Sequence, residues 1–313
     1  MPTIETINLS KNYGSFTAVS NLNIKLEGGK CVGFLGPNGA GKTTVLKMFT
    51  DLIRPTSGEA LINGINVHTQ KTTALESVGT LIEMPEIYPA LTPREALTMI
   101  AEIRGVPKAD RKQQIESVVS EVRMSEWIDK RVGKFSKGMK QRICVASSIL
   151  SDPTVVLLDE PTTGLDPRGM SEVREIIKSL KNKKRLIFMS SHLLSEVSDV
   201  CDEVAIIDHG KLLIYDKISN VTSIVSEGEN IVKIGLLNSV EKDLLSKISK
   251  KFQYINKVEK IDQNTFTIQF SGTLETQEKL LIDLVKMNIG IISYKPASSA
   301  LEGAYMRLIK DTL

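Results

Sequence analysis

Residues 30 to 44 read KCVGFLGPNGAGKTT, and this stretch decides the fold. Lys30 to Leu35 (KCVGFL), apolar after its first residue, has the pattern of a buried strand. It feeds into Gly36, Pro37, Asn38, Gly39, Ala40, Gly41, Lys42, Thr43 and Thr44, which fit G-x-x-x-x-G-K-[ST]. Glycine lets backbone N–H groups crowd around phosphate oxygens, because no Cβ intervenes. A helix expected from Thr43 to Leu52 would aim its N-terminal N–H groups and positive dipole end at the same anion. In such a loop Lys42 reaches the terminal phosphates of a nucleotide, and the Thr43 hydroxyl can ligate Mg²⁺.

Working outward, VVLLDEP supplies a second apolar strand, Val155 to Leu158, with Asp159 and Glu160 at its carboxyl end. Ligands of an open parallel sheet bind at that end. Asp159 is therefore expected to hold Mg²⁺, and Glu160 to act as general base toward the attacking water. Further strands are read at Thr3 to Leu9, Leu22 to Leu26 and Leu186 to Met189. Helices are read at Pro93 to Arg104, Lys112 to Val122 and Gly138 to Leu150. Strands alternating with helices give an α/β fold, a P-loop NTPase core with a mainly parallel sheet covered on both faces. Residues 86–150 carry helix signals without strong strand signals and read as an inserted helical subdomain of a nucleotide-binding domain spanning 1–218.

The Ser/Asn/Gly-rich run SNVTSIVSEGEN reads as a linker over 219–230. Beyond it, 231–313 follows the order strand, helix, strand, strand, helix, strand, which matches a small C-terminal α+β, ferredoxin-like domain. A closing helix opens at Ser299 with Glu302 in capping-box spacing. The whole chain of 313 residues is long enough for two domains at about 150 residues each.

Forty Lys and Arg against 37 Asp and Glu leave a net charge of +3, so no basic face for nucleic acid is expected. The run Lys181, Lys183, Lys184, Arg185 reads as a solvated helix end. No apolar stretch is long enough to span a bilayer, and the start lacks an apolar signal core. Cys31, Cys144 and Cys201 have no ligand or pairing pattern and read as buried thiols of a reducing compartment. His68 and His209 read as surface residues, and Trp127 as packing in the helical region.

FSKGMKQR, from Phe135 to Arg142, followed by LLDEPTTGLD, carries a specific resemblance over roughly residues 3 to 215. The chain resembles the nucleotide-binding subunits of ABC transporters. The resemblance implies that Ser136 and Gly138 belong to a signature motif, a second phosphate clamp at a helix start. Two clamps with one nucleotide per loop imply a head-to-tail dimer, with a second copy or a paralogous subunit. Ser136, Lys137, Gly138 and Asp166 are its expected contacts. By the same resemblance Tyr13 stacks on adenine and His192 in SSHLLSEV contacts the γ-phosphate.

Glu83 stands where the family carries glutamine, and as a carboxylate it is a candidate ligand of ATP-bound Mg²⁺. Lys137 replaces the first of the signature's paired glycines. Both departures, with the closing SSALEGAYMRLI, resemble the drug, antibiotic and lantibiotic exporter branch, whose permease is a separate chain. That implies an ATP hydrolase held peripherally at the inner face of the cell membrane by the permease. The loop with Ile87, Tyr88 and Leu91 is the expected permease contact. The rival readings are an importer ATPase and a soluble ABC ATPase acting on ribosomes or nucleic acid. The chain lacks the sustained heptads of DNA-repair members and has one phosphate loop where translation-factor types carry two.

Overall fold

The computed structural model describes residues 1–83, 87–181, 183–226, 229–252, 254–296, 301 and 305. The chain divides into two compact units, Met1–Asp216 and Lys217–Leu313.

The first unit opens with the long antiparallel pair β1 (Thr3–Tyr13) and β2 (Phe16–Glu27), then β3 (Cys31–Leu35) and α1 (Lys42–Phe49). Next come β4 (Ser57–Ile62), β5 (Ile65–Asn66), α2 (Lys71–Leu75) and β6 (Val78–Leu81). The helical stretch holds α3 (Pro93–Ile103), α4 (Lys108–Glu121) and α5 (Lys137–Ser148). Then follow β7 (Val155–Leu158), α6 (Pro167–Lys181), β8 (Leu186–Ser191), α7 (Leu194–Val200), β9 (Glu203–Asp208) and β10 (Lys211–Lys217). The described residues of this unit form a sheet in the order β2-β1-β4-β5 and a larger one in the order β10-β9-β3-β8-β7-β6. In the larger sheet β3 runs parallel to β8 and β9, and β7 parallel to β6 and β8.

Alternation within the apolar strands divides the core in two. Val156, Leu158, Ile187 and Met189 enter the cluster with the side chains of α3 to α6. Val155, Leu157, Leu186 and Phe188, their neighbours in the same strands, pack instead with α1 and the antiparallel sheet. A period of two sends successive side chains to opposite faces, so a strand that feeds two cores must be apolar throughout. Phe188 meets Phe34 at 5.1 Å and Phe49 edge-on at 6.3 Å, which seats α1 on the sheet. α3 starts at a capping box, Thr92 with Glu95, and has Pro93 in its first turn.

In the second unit α8 (Ile218–Ser226) precedes β11 (Glu229–Leu236), α9 (Lys242–Lys251), β12 (Ile255–Lys260), β13 (Thr265–Ser271), α10 (Leu274–Lys286) and β14 (Ile291–Pro296). The sheet order β12-β13-β11-β14, with antiparallel pairing throughout, is that of a ferredoxin-like sandwich. Ile248 of α9 and Leu280 and Leu284 of α10 pack on Ile234, Phe266, Ile268 and Phe270 of the sheet. Of the closing helix expected from Ser299, residues 301 and 305 are helical; the others lie outside the described residues.

Four readings change. Residues 218–226, read mostly as linker, form α8, where Val221 is fully buried. The cation run is not simply a solvated helix end: Arg185 is buried and pairs with Glu121 and Asp152, while Lys183 also pairs with Glu121 and Lys181 with Asp202. A guanidinium can be buried only where carboxylates compensate its lost hydration. His68 is not a surface residue, since its Nδ1 lies 2.7 Å from Asp51 and its side chain is largely buried. Cys31 and Cys144 are buried thiols, but Cys201 is only half-buried, its Sγ 3.5 Å from that of Cys31. Trp127 packs edge-on against Phe135, with the Lys130 ammonium 4.0 Å from its ring centre.

Candidate active site

The parallel register delivers three loops to one edge of the sheet. Leu35 pairs with Ser191, and Leu158 with Met189, so Gly36, Asp159 and His192 leave three adjacent strands at nearly one level. β8 lies between β3 and β7, which places Ser190, Ser191 and His192 between the phosphate loop and the two carboxylates.

The loop requires its glycines. Gly41 sits at φ +104, and a Cβ there would lie 2.4 Å from the Ala18 carbonyl oxygen. A Cβ on Gly36 would lie 2.3 Å from the Ile207 carbonyl oxygen. Gly41 leads into α1 without a side-chain cap, so no side chain competes for the first-turn N–H groups. The buried Lys42 ammonium donates to the carbonyls of Gly36 at 2.8 Å and Pro37 at 3.1 Å, and lies 3.4 Å from Glu160.

Thr43 donates to Oδ2 of Asp159 at 2.9 Å, while Ser190 donates to Oδ1 at 2.5 Å. The Ser190 hydroxyl also accepts the N–H of Glu160 at 2.9 Å, so one buried serine sets both acids. Oε2 of Glu160 meets Nδ1 of His192 at 2.5 Å and the hydroxyl of Thr163 at 2.6 Å. Burial opposes ionisation of Glu160, but the hydrogen bonds from Thr163 and His192 and the charges of His192 and Lys42 outweigh it. The carboxyl is held below its ordinary pKa and is an anion at neutral pH.

At the signature stretch Ser136 caps α5, its Oγ accepting the Met139 N–H at 3.2 Å. The Lys137 ammonium lies over Gly164, where a Cβ would stand 2.2 Å from it. Asp166 accepts the Gly169 N–H at 3.1 Å at the start of α6. A cavity of about 450 Å³ opens here, lined by Ser136, Gly138, Arg142, Asp166 and Arg168 among others. Among the described residues, no hydrogen bond or ion pair joins Ser136, Lys137 or Gly138 to the phosphate loop, Asp159, Glu160 or His192.

The structure thus brings together Lys42, Thr43, Asp159, Glu160 and His192, and leaves Ser136, Lys137 and Gly138 outside that cluster. It does not bring in Glu83, whose carboxylate sits 2.6 Å from Lys47 and is 67% exposed. Tyr13 ends β1 half-exposed, with the Lys11 ammonium 5.0 Å from its ring centre. Ser190 was missed in the sequence, and so was the bond that Thr163 makes to Glu160. The paired serines that break the apolar run before His192 were the available signal.

The family model of the ABC transporter matches residues 19–163, and one described as an AAA domain, putative AbiEii toxin, Type IV TA system, matches 131–198. The Bacitracin transport ATP-binding protein BcrA of Bacillus licheniformis is 46% identical over 211 residues, covering 67% of this chain and 68% of that one. This chain belongs to the ABC transporter ATP-binding proteins. An uncharacterized ABC transporter ATP-binding protein of Bacillus subtilis (strain 168), YcbN, is 34% identical over 308 residues, 98% of this chain and 96% of its own. The Lantibiotic transport ATP-binding protein SrtF of Streptococcus pyogenes is 38% identical over 218 residues, 68% of this chain and 92% of its own. A solved ATP-binding subunit of an ABC transporter superposes with a TM-score of 0.63 at 27% identity, over 71% of this chain and 92% of that one. As an ABC ATP-binding subunit the chain hydrolyses ATP to drive transport and works with a membrane permease. Among the described residues, no helix is long and apolar enough to cross a membrane.

Proposed function

We propose that this ABC ATPase powers export of bacitracin- or lantibiotic-type peptides through a separate permease, at the cytoplasmic face of the membrane. The observation that carries the catalytic reading is the Glu160 carboxylate, reached at once by His192, Thr163 and Lys42. The names of the bacitracin and lantibiotic relatives support the cargo class.

In this reading the backbone of residues 36–44 and the Lys42 ammonium hold the triphosphate. Thr43 and Asp159 are the metal set: a hydroxyl and a carboxylate already 2.9 Å apart, the hard oxygen ligands that Mg²⁺ selects. Held there, Mg²⁺ would supply positive charge to offset that of the phosphate oxygens. Glu160 takes the proton of the attacking water, and His192 holds the carboxylate in place and meets the terminal phosphate. Tyr13 offers its ring to the adenine. The separation of Ser136 and Gly138 from this cluster supports a head-to-tail dimer, in which one subunit's signature clamp closes the partner's site with Lys137 and Asp166 at the contact. Tyr88, 70% exposed, is the proposed permease contact. The C-terminal unit supports the dimer or regulates it.

Two measurements test the reading. The purified chain should release phosphate from ATP only with Mg²⁺ present. Deleting its gene should make the cell that carries it more sensitive to bacitracin or a lantibiotic, and the Glu160→Gln allele should fail to restore resistance. Unchanged sensitivity to both peptide classes would refute the cargo assignment.

A further inference from the structure

Beneath the contact between Glu160 and His192 lies a carboxylate that the catalytic reading does not use. Glu196, in the first turn of α7, is 2% exposed. Its Oε1 accepts the hydroxyl of Thr162, and its Oε2 that of Ser191 at 2.8 Å, both partners being buried. Among the described residues, no Lys, Arg or His pairs with it. Burying a carboxylate with hydroxyls alone is costly, and an apolar side chain of the same size would pack there without that cost. The group is therefore explained better by what it holds than by what it stabilises.

What it holds are the two segments that carry the catalytic pair. Thr162 follows Glu160 by two residues, and Ser191 directly precedes His192. The Ser191 hydroxyl also accepts the N–H of Leu193 at 2.9 Å, so the backbone is fixed on both sides of His192. On the outside the same segments meet where Nδ1 of His192 lies 2.5 Å from Glu160. The inner link reaches further, because the buried Gln141 of α5 donates to the Pro161 carbonyl at 2.7 Å. The loop beside Glu196 is thereby tied to the signature helix.

We infer that Glu196 is a positioning residue for hydrolysis: through Thr162 and Ser191 it sets the separation of Glu160 and His192. This rests on the roles given to those two residues above. Displacing a reacting group by a fraction of an ångström costs rate without costing substrate binding.

Thr162→Val removes one arm at constant shape. It should lower kcat about tenfold and leave the KM for ATP within about threefold. In a His192→Ala background the same change should cost less than about twofold, because the contact it positions is gone. Glu196→Gln should keep most of the rate, since the amide can accept from Ser191 and donate to the Thr162 oxygen; Glu196→Ala should not. If Glu196→Ala does not fold, Thr162→Val and Glu196→Gln carry the decision. An equal loss from Thr162→Val in both backgrounds, or no loss in either, would overturn the inference. So would Glu196→Gln falling about tenfold or more below wild type, a charge effect that a positioning role does not give. Failure of the underlying reading looks different: His192→Ala and Glu160→Gln alone would then keep wild-type turnover, overturning both proposals together.

Discussion

Replacing Glu160 by glutamine separates proton transfer from everything else its carboxylate does. Oε2 takes the contacts of Thr163 and His192, while Oε1 faces Lys42 at 3.4 Å. A glutamine can seat its oxygen toward the Lys42 ammonium and its NH₂ toward Thr163 and His192. The threonine hydroxyl turns to accept, and a neutral imidazole can present Nδ1 as an acceptor. The side chain therefore has a bonded place at nearly constant volume, and the fold should be undisturbed. What it cannot do is take a proton. Loss of a positioned general base costs about 10²- to 10⁴-fold, or roughly 3 to 5 kcal/mol of barrier at 1.36 kcal/mol per decade. Affinity for ATP should hold or tighten, since one negative charge leaves the neighbourhood of the triphosphate. Phosphate release gives kcat, and equilibrium binding of labelled ATP with Mg²⁺ gives affinity. A kcat within about tenfold of wild type would refute the general-base assignment; loss of ATP binding in a folded variant would show that the carboxylate serves binding instead.

Three further outcomes follow from the same geometry. Glu160 is held below its ordinary pKa, so activity that depends on its anion persists above that lowered value and is lost as pH falls through it; Thr163→Val removes one cause of the depression and should move the acidic limb of the pH–rate profile upward, and an unmoved limb would count against Glu160 as the titrating base. Gly79→Ala would place a Cβ 1.7 Å from the Ser148 carbonyl oxygen, forcing β6 from α5 at a cost of about 4 kcal/mol or more, to be seen as insoluble protein or a Tm lower by roughly 10 °C; a Tm near wild type would contradict that backbone contact. Glu83→Gln breaks an exposed pair with Lys47 worth about 0–1 kcal/mol and should leave the Mg²⁺ concentration for half-maximal ATPase unchanged, whereas a raised requirement would return Glu83 to the metal set.

The parts legible in the sequence were those whose cause is local. A strand buried on both faces must be apolar throughout, so Val32–Leu35, Val155–Leu158 and Leu186–Met189 announced themselves, and with them the parallel sheet. The phosphate loop was legible because its glycines answer to backbone sterics. α8 was hidden because composition and spacing conflict: Ser, Asn and Thr read as loop, while Ile218, Val221 and Val225 keep helical spacing. Ion pairs were hidden by distance along the chain, since Arg185 finds Glu121 64 residues away and His68 finds Asp51 17 away. Ser190 was hidden for the same reason, 31 residues from the Asp159 it sets.

Glu160 also carries an argument in its backbone. It sits at φ +47, a conformation that costs a non-glycine residue about 1–3 kcal/mol and that Asn or Asp would adopt more readily. A glutamate there is not chosen by local preference. The strain is held by the Ser190 hydroxyl at its N–H and by Thr163 and His192 at its carboxylate. An aspartate would ease the backbone but fall one methylene short of those partners and of Lys42. A glycine would remove the strain and the base together. A side chain that fits badly but both reaches Lys42 and His192 and can take a proton occupies the position, and glutamine, which has the reach, lacks the second property; reach and basicity together are what the strain is tolerated for.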